Sequence, residues 1–183
     1  MGHKGYVAGG CFKNIFNKEK IKDLDIFFRN EEEYQLADLY FREHEDYKFA
    51  YASKKVRAYK NLKTDIVVEL IHSHYGEPIE MIERFDFTIA KFVYYKKTIA
   101  DGEEERIETV ITHHKDFFEH LFLKRLVIEN TSNFPINIFE RSLKYTKYGY
   151  NLCKESKVKL LEAIKATDNI EEGIGVSLYN GLD

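Results

Sequence analysis

The chain holds no tryptophan, two cysteines, two prolines and two methionines in 183 residues, and the shortage of cysteine removes a class of protein. Cys11 and Cys153 lie far apart and form none of the paired spacings that structural zinc or a dithiol centre requires. Both are expected to be reduced core thiols of a cytoplasmic protein. No apolar run approaches the roughly 18 residues that would span a bilayer, and no signal-peptide pattern precedes the first glycines. No membrane partner is therefore expected. A net charge of −3 denies the chain as a whole a role as electrostatic glue for nucleic acid, although local basic surface stays open to it. Internal repeats and low-complexity segments are absent. The glycines from Gly5 to Gly10 lead into no Lys-Ser/Thr, which argues against a Walker-type ATPase. His72 with His74, and His113 with His114, have no third ligand at metal-site spacing and are expected to be loop or helix-start residues.

What is present is enough for a sizeable core: 44% hydrophobic residues, with 13 Tyr and 14 Phe. Tyr6 to Ala8 reads as a short strand that runs into Gly9-Gly10, and Cys11 to Phe16 opens a short helix. Such glycines allow a tight turn and leave backbone N–H groups accessible at a helix start, where phosphate can approach. Ile21 to Phe28 reads as a strand, Glu31 to His44 as a helix, and Tyr47 to Ala52, Val56 to Tyr59 and Asp65 to Ile71 as strands. In the last, Glu69 alone breaks the run Ile66, Val67, Val68, Leu70, Ile71. Pro78 to Ile82 suits one helical turn. Phe85 to Tyr94 alternates as a strand, and its continuation through a turn at Ala100-Asp101-Gly102 to Arg106–Ile111 predicts a hairpin. Beyond His114 the pattern turns helical, over Lys115 to Lys124, Ile136 to Tyr148 after the break at Asn133-Phe134-Pro135, and Glu155 to Ala166. The expected fold class is α+β, a mixed sheet with flanking helices followed by a small C-terminal helical region. The expected division is a head over 1–112, a helical region over 113–166 and a partly ordered tail over 167–183.

Asp23 and Asp25 occupy alternate positions of the Ile21–Phe28 run, so they must point to one side of it. Two like charges held together on an apolar strand repel each other and lose hydration, and a divalent cation resolves that conflict. Carboxylate and phosphate oxygens are what Mg²⁺ prefers. Lys54, Lys55, Arg57, Lys60 and Lys63, interleaved with Tyr51 and Tyr59, form a basic stretch that reads as a solvated hairpin.

Ala8-Gly9-Gly10 followed by Asp23-Leu24-Asp25-Ile26 resembles the nucleotidyltransferase superfamily of DNA polymerase beta, in which a hydrophobic–Gly–Gly/Ser turn precedes an Asp-x-Asp/Glu strand. Arg84-Phe85-Asp86-Phe87-Thr88-Ile89 is similar to the Arg-Arg-Asp-Phe-Thr-Ile-Asn motif in the head of CCA-adding enzymes and bacterial poly(A) polymerases. It departs from that motif at Phe85, where the family has Arg, and at Ala90, where it has Asn. Pro135 to Tyr145, ending at Gly149-Tyr150, looks like the Arg-rich helix that follows that head. The resemblance spans residues 5 to 150 and matches a trimmed, single-head relative of phage type, with too few residues left for the RNA-binding body and tail.

The resemblance implies an enzyme that moves a nucleoside monophosphate from a nucleoside triphosphate such as ATP to an acceptor hydroxyl, releasing pyrophosphate. Asp23 and Asp25 would bind two Mg²⁺ or Mn²⁺ ions, with Asp86 on a neighbouring strand as third ligand and catalytic carboxylate. Gly9 and Gly10 would let the backbone approach the nucleotide phosphates. Arg141 and Lys144, one helical turn apart, would neutralise phosphate charge, and Ser53 and Lys54 would contact the triphosphate. An RNA 3′ end is the implied acceptor. A toxin-like or small-molecule version would modify a protein or drug hydroxyl, and a degenerate version would only bind a nucleotide or a protein partner.

Overall fold

The computed structural model describes residues 4–101, 104–131 and 134–168. Gly102 of the expected hairpin turn, Asn133 of the expected break and the expected tail from residue 169 onward lie outside the described residues. The chain divides into two compact units, one of residues 1–83 with 90–113 and one of residues 84–89 with 114–183.

The first unit is built on a seven-stranded mixed sheet. Strand β1 (Tyr6–Ala8) leads through Gly9-Gly10 into helix α1 (Cys11–Phe16). Strand β2 (Asp23–Phe27) precedes helix α2 (Glu31–Glu43), followed by β3 (Tyr47–Ala52), β4 (Val56–Asn61), β5 (Val67–Ile71), helix α3 (Pro78–Glu83) and the hairpin β6 (Phe92–Asp101) and β7 (Glu104–His113). The strand order is β3-β4-β5-β2-β1-β6-β7. Among the described strands of this sheet only β2 and β5 pair in parallel, which needs the long connection that α2, β3 and β4 supply.

Helix α2 starts where the sequence signals it. The Asn30 side chain accepts the Glu33 N–H at 2.9 Å, and the Glu33 carboxylate accepts the Arg29 N–H at 3.1 Å, so donors at the helix start are satisfied reciprocally. Ala37 and Phe41, one turn apart, then pack with Ile26, Phe28, Tyr59, Val68 and Leu70 in a buried cluster. These sheet residues hold the even positions along β2 and β5. The odd positions, Asp23, Asp25, Val67 and Glu69, therefore lie on the opposite face.

A polar lock sits at the rim of that cluster. Buried Asp38 accepts Tyr59 Oη at 2.6 Å and Arg57 Nη1 at 2.9 Å. Burial first, and then the bond to Asp38, push the Tyr59 phenol up to about 12. Asp38→Ala strands a buried hydroxyl, and the expected loss is about 2–3 kcal/mol in urea unfolding, with Asp38→Asn losing less.

A 3-10 turn over Thr88–Ala90 ends the 84–89 segment of the second unit, whose other described elements are helix α4 (Phe117–Phe122), β8 (Arg125–Leu126), helix α5 (Pro135–Lys147), β9 (Asn151–Leu152) and helix α6 (Lys154–Lys165). Proline opens α5, and Gly149 at φ +84° follows its end. Phe87, Phe117, Leu126, Ile128, Tyr145, Tyr150 and Leu160 are buried in this unit, with the Phe87 and Tyr145 rings 5.1 Å apart.

Two expectations fail here for physical reasons: the strand over Phe85–Tyr94, and the helical pattern beyond His114, which β8 and β9 interrupt. The predicted strand over Phe85–Tyr94 begins only at Phe92, because residues 84–89 are drawn to other partners: Glu129 N–H donates to Asp86 O, Thr88 N–H donates to Val127 O, and Phe87 bridges to Ile128. Phe87, Thr88 and Ile89 are all fully buried, so their apparent alternation does not mark two faces. The parallel pair β8–β9 has two residues per strand, too few to show a period.

Thr88 Oγ1 meets His120 Nδ1 at 2.8 Å, both groups buried. Burial is the main cause that lowers the His120 pKa below its ordinary value, against the opposing pull of Asp116 and Glu119. A histidine held neutral in this way gives its full contribution to stability above about pH 6.5, and that contribution is lost as pH falls through the depressed folded value. Stability between pH 7 and pH 5 should therefore fall more steeply in the wild type than in His120→Gln, by at most about 1.4 kcal/mol per pH unit. Urea titrations at the two pH values measure the difference.

Candidate active site

Gly9 sits at φ +97°, in the left-handed region that favours glycine, and its N–H donates to Phe92 O at 3.1 Å. Gly10 then caps α1, and the helix begins at buried Cys11. The Cys11 thiol is pushed up to about 12, first by burial and then by the negative fields of Asp25 and Asp23. The glycine turn therefore delivers the start of α1 to the carboxylates of β2. Asp23 and Asp25 are both half-buried.

The parallel register places Asp25 directly beside Glu69 of β5, and Asp23 beside Val67. Neighbouring strands stand about 4.8 Å apart, so Glu69 adds a third carboxylate to the face that carries Asp23 and Asp25. On the far side of Glu69 its register partner is Ala58 of β4, whose partner in turn is Tyr51 of β3. The Tyr51 hydroxyl donates to Glu69 Oε1. Sequence reasoning passed over Glu69 and Tyr51. The signal for Glu69 was present as the one charge in an otherwise apolar strand. Tyr51 gave none, because its side chain is aimed by a register shift between Phe49 and Tyr51.

Among the described residues, no three His, Cys, Asp or Glu side chains are grouped to hold an ion. Asp23 and Asp25 nonetheless suit Mg²⁺, which takes one or two carboxylates and completes its shell with phosphate oxygens and water. Both are half-buried on one face of the sheet, where two like charges lose hydration and a cation would relieve them.

The structure gives Asp86 a different setting from the expected one. It lies in a bend rather than on a strand, within the second unit, and is buried. Its Oδ1 accepts the Phe87 N–H at 2.8 Å, and its Oδ2 accepts Arg141 Nη1 at 2.7 Å. A carboxylate with both oxygens engaged in this way anchors Arg141, and a metal-ligand role does not follow from its geometry. Arg141 and Lys144 are both exposed on α5, with the Arg141 guanidinium 5.6 Å from the Phe87 ring centre. Ser53 Oγ accepts the Lys55 and Val56 N–H groups at 3.1 and 3.2 Å and so closes the β3–β4 turn, while Lys54 is exposed at the tip. Arg141→Ala leaves the buried Asp86 charge without its counter-ion, and a loss of about 1–3 kcal/mol is expected in urea unfolding. Arg141→Lys should recover part of it, since a point charge lacks the fork.

The seven-stranded mixed sheet with flanking helices is similar in fold to nucleotidyltransferase heads. Solved structures agree. A tRNA-processing enzyme with CTP superposes with a TM-score of 0.65 at 18% identity, over 97% of this chain and 50% of that one. A tRNA nucleotidyltransferase complexed with a primer tRNA and an incoming ATP analogue gives 0.64 at 15% identity, over 95% and 52%. A CCA-adding enzyme with CTP gives 0.60 at 15% identity, over 88% and 38%. The chain belongs to the Gabija anti-defense 2 family, whose profile matches residues 1–124. A curated relative, Gabija anti-defense 2 of Bacillus phage SPbetaL7, is 26% identical over 160 residues, which are 87% of this chain and 37% of the relative. The chain thus spans just over a third of that relative, and about half of the first two solved structures. Among the described residues, no helix is long and apolar enough to cross a membrane.

Proposed function

We propose that the chain is a metal-dependent nucleotidyltransferase of the cytoplasm, which moves a nucleoside monophosphate from a nucleoside triphosphate to an acceptor hydroxyl and releases pyrophosphate. The observation that carries this reading is the row of carboxylates on one sheet face: Asp23 and Asp25 on β2, with Glu69 in register beside Asp25. Asp23 and Asp25 would hold Mg²⁺ or Mn²⁺, which supplies charge neutralisation for the triphosphate and a more acidic acceptor hydroxyl. Phosphoryl transfer asks a protein mainly for positioning and charge stabilisation. Gly9 has no side chain to keep phosphate from the backbone, and Gly10 opens α1 beside it. Glu69 would accept the proton that the acceptor hydroxyl gives up. On α5, Arg141 held in orientation by Asp86, together with Lys144, offers a two-cation contact for phosphate. Ser53 and Lys54 offer a weaker one at the β3–β4 turn.

An RNA 3′ end is the acceptor favoured by the fold, since solved neighbours are tRNA-processing enzymes. A second reading has an observation of its own: membership of a family described as anti-defense favours a hydroxyl on a component of the Gabija system. The test incubates the protein with α-labelled nucleoside triphosphates and Mg²⁺, adding either total RNA or purified Gabija proteins. Label should pass to one of the two and be abolished by chelator. Asp23→Ala combined with Asp25→Ala should reduce transfer by about 100-fold or more, as expected when metal-assisted charge stabilisation is lost. Transfer that survives this double substitution would overturn the assignment of the site.

A further inference from the structure

Tyr51 meets one of the carboxylates of the candidate site. Its hydroxyl donates to Glu69 Oε1, the carboxylate that lies in register with Asp25. The side chain is 45% exposed, so both an incoming nucleotide and solvent can reach it.

The β-bulge is what brings it there. Phe49 pairs with Tyr59, which belongs to the buried cluster on the α2 face. In a regular strand, Tyr51 would share the face of Phe49 two positions away. The shift between Phe49 and Tyr51 instead sets Tyr51 opposite Ala58, itself opposite Glu69, and so moves the phenol to the carboxylate face. Two other tyrosine hydroxyls of the sheet are held elsewhere. Tyr59 Oη is bonded to Asp38 on the opposite face, and buried Tyr6 donates to Gly76 O.

We infer that Tyr51 is itself a modification site: the protein nucleotidylates its own Tyr51 hydroxyl. This rests on the transferase reading above. In the step, Tyr51 Oη forms a bond to the α-phosphorus of a nucleoside triphosphate. The bond from that phosphorus to the oxygen bridging to the β-phosphate breaks, and pyrophosphate leaves with the electron pair. The phenolic proton passes to Glu69 and from there to solvent. The product is a phosphodiester between Tyr51 and the nucleoside, with no oxidant or further reactant required.

The experiment incubates the full chain with each of the four α-labelled nucleoside triphosphates and Mg²⁺, without added acceptor. Denaturing gels and mass spectrometry of the tryptic peptide carrying Tyr51 follow. Label resistant to ribonuclease should appear on the protein and map to Tyr51. It should fall at least tenfold in Asp25→Asn and in Tyr51→Phe, with circular dichroism confirming that both variants fold. Label that maps to a different residue overturns the inference. Transfer to RNA or to Gabija proteins with no label on Tyr51 overturns it too, while leaving the transferase reading intact. Absence of transfer to any acceptor overturns both.

Discussion

The period of one β-strand is the constraint on which the rest depends. Ile26 and Phe28 must face the buried cluster with α2, and alternation then leaves Asp23 and Asp25 no choice but the other side. The same rule acts on β5, where Val68 and Leu70 face the cluster and Glu69 is turned to the aspartates. Hydrophobic burial on one face thus sets the charge pattern on the other. A slip of one residue in either strand would bury carboxylates and expose the core, so the packing that stabilises the sheet also fixes the register of the site.

Much of this was legible in the sequence because it is local. The glycine turn and the Asp-x-Asp strand each show in a few adjacent residues, and Gly149 marks the end of α5. What escaped depends on partners distant in the chain. Phe85 to Ile89 alternates on paper like a strand, yet its backbone is claimed by residues 127–129. The resemblance makes Asp86 a candidate ligand, and its pairing with Arg141 across a long sequence separation could not be read from the motif. Glu69 was visible as an anomaly in an apolar run and acquires meaning only from its parallel pairing with β2.

The two units handle buried charge in different ways. In the second, Asp86 is closed off by a guanidinium and a backbone N–H, and His120 is kept neutral by its surroundings. In the first, Asp38 is likewise closed, by Arg57 and Tyr59, on the α2 face. Asp23 and Asp25 differ from both: they are half-buried and push the neighbouring Cys11 thiol toward its protonated form.

The parallel junction between β2 and β5 carries a consequence for biosynthesis. Asp25 leaves the ribosome early, together with the glycine turn, but its neighbour Glu69 follows only after α2, β3 and β4 have been made. Pairing over such a separation must first meet the entropy of closing a long loop. Nascent chains therefore hold the aspartates before they hold the carboxylate row, and the surface that could handle a nucleotide comes into being with the completed sheet rather than with its motif.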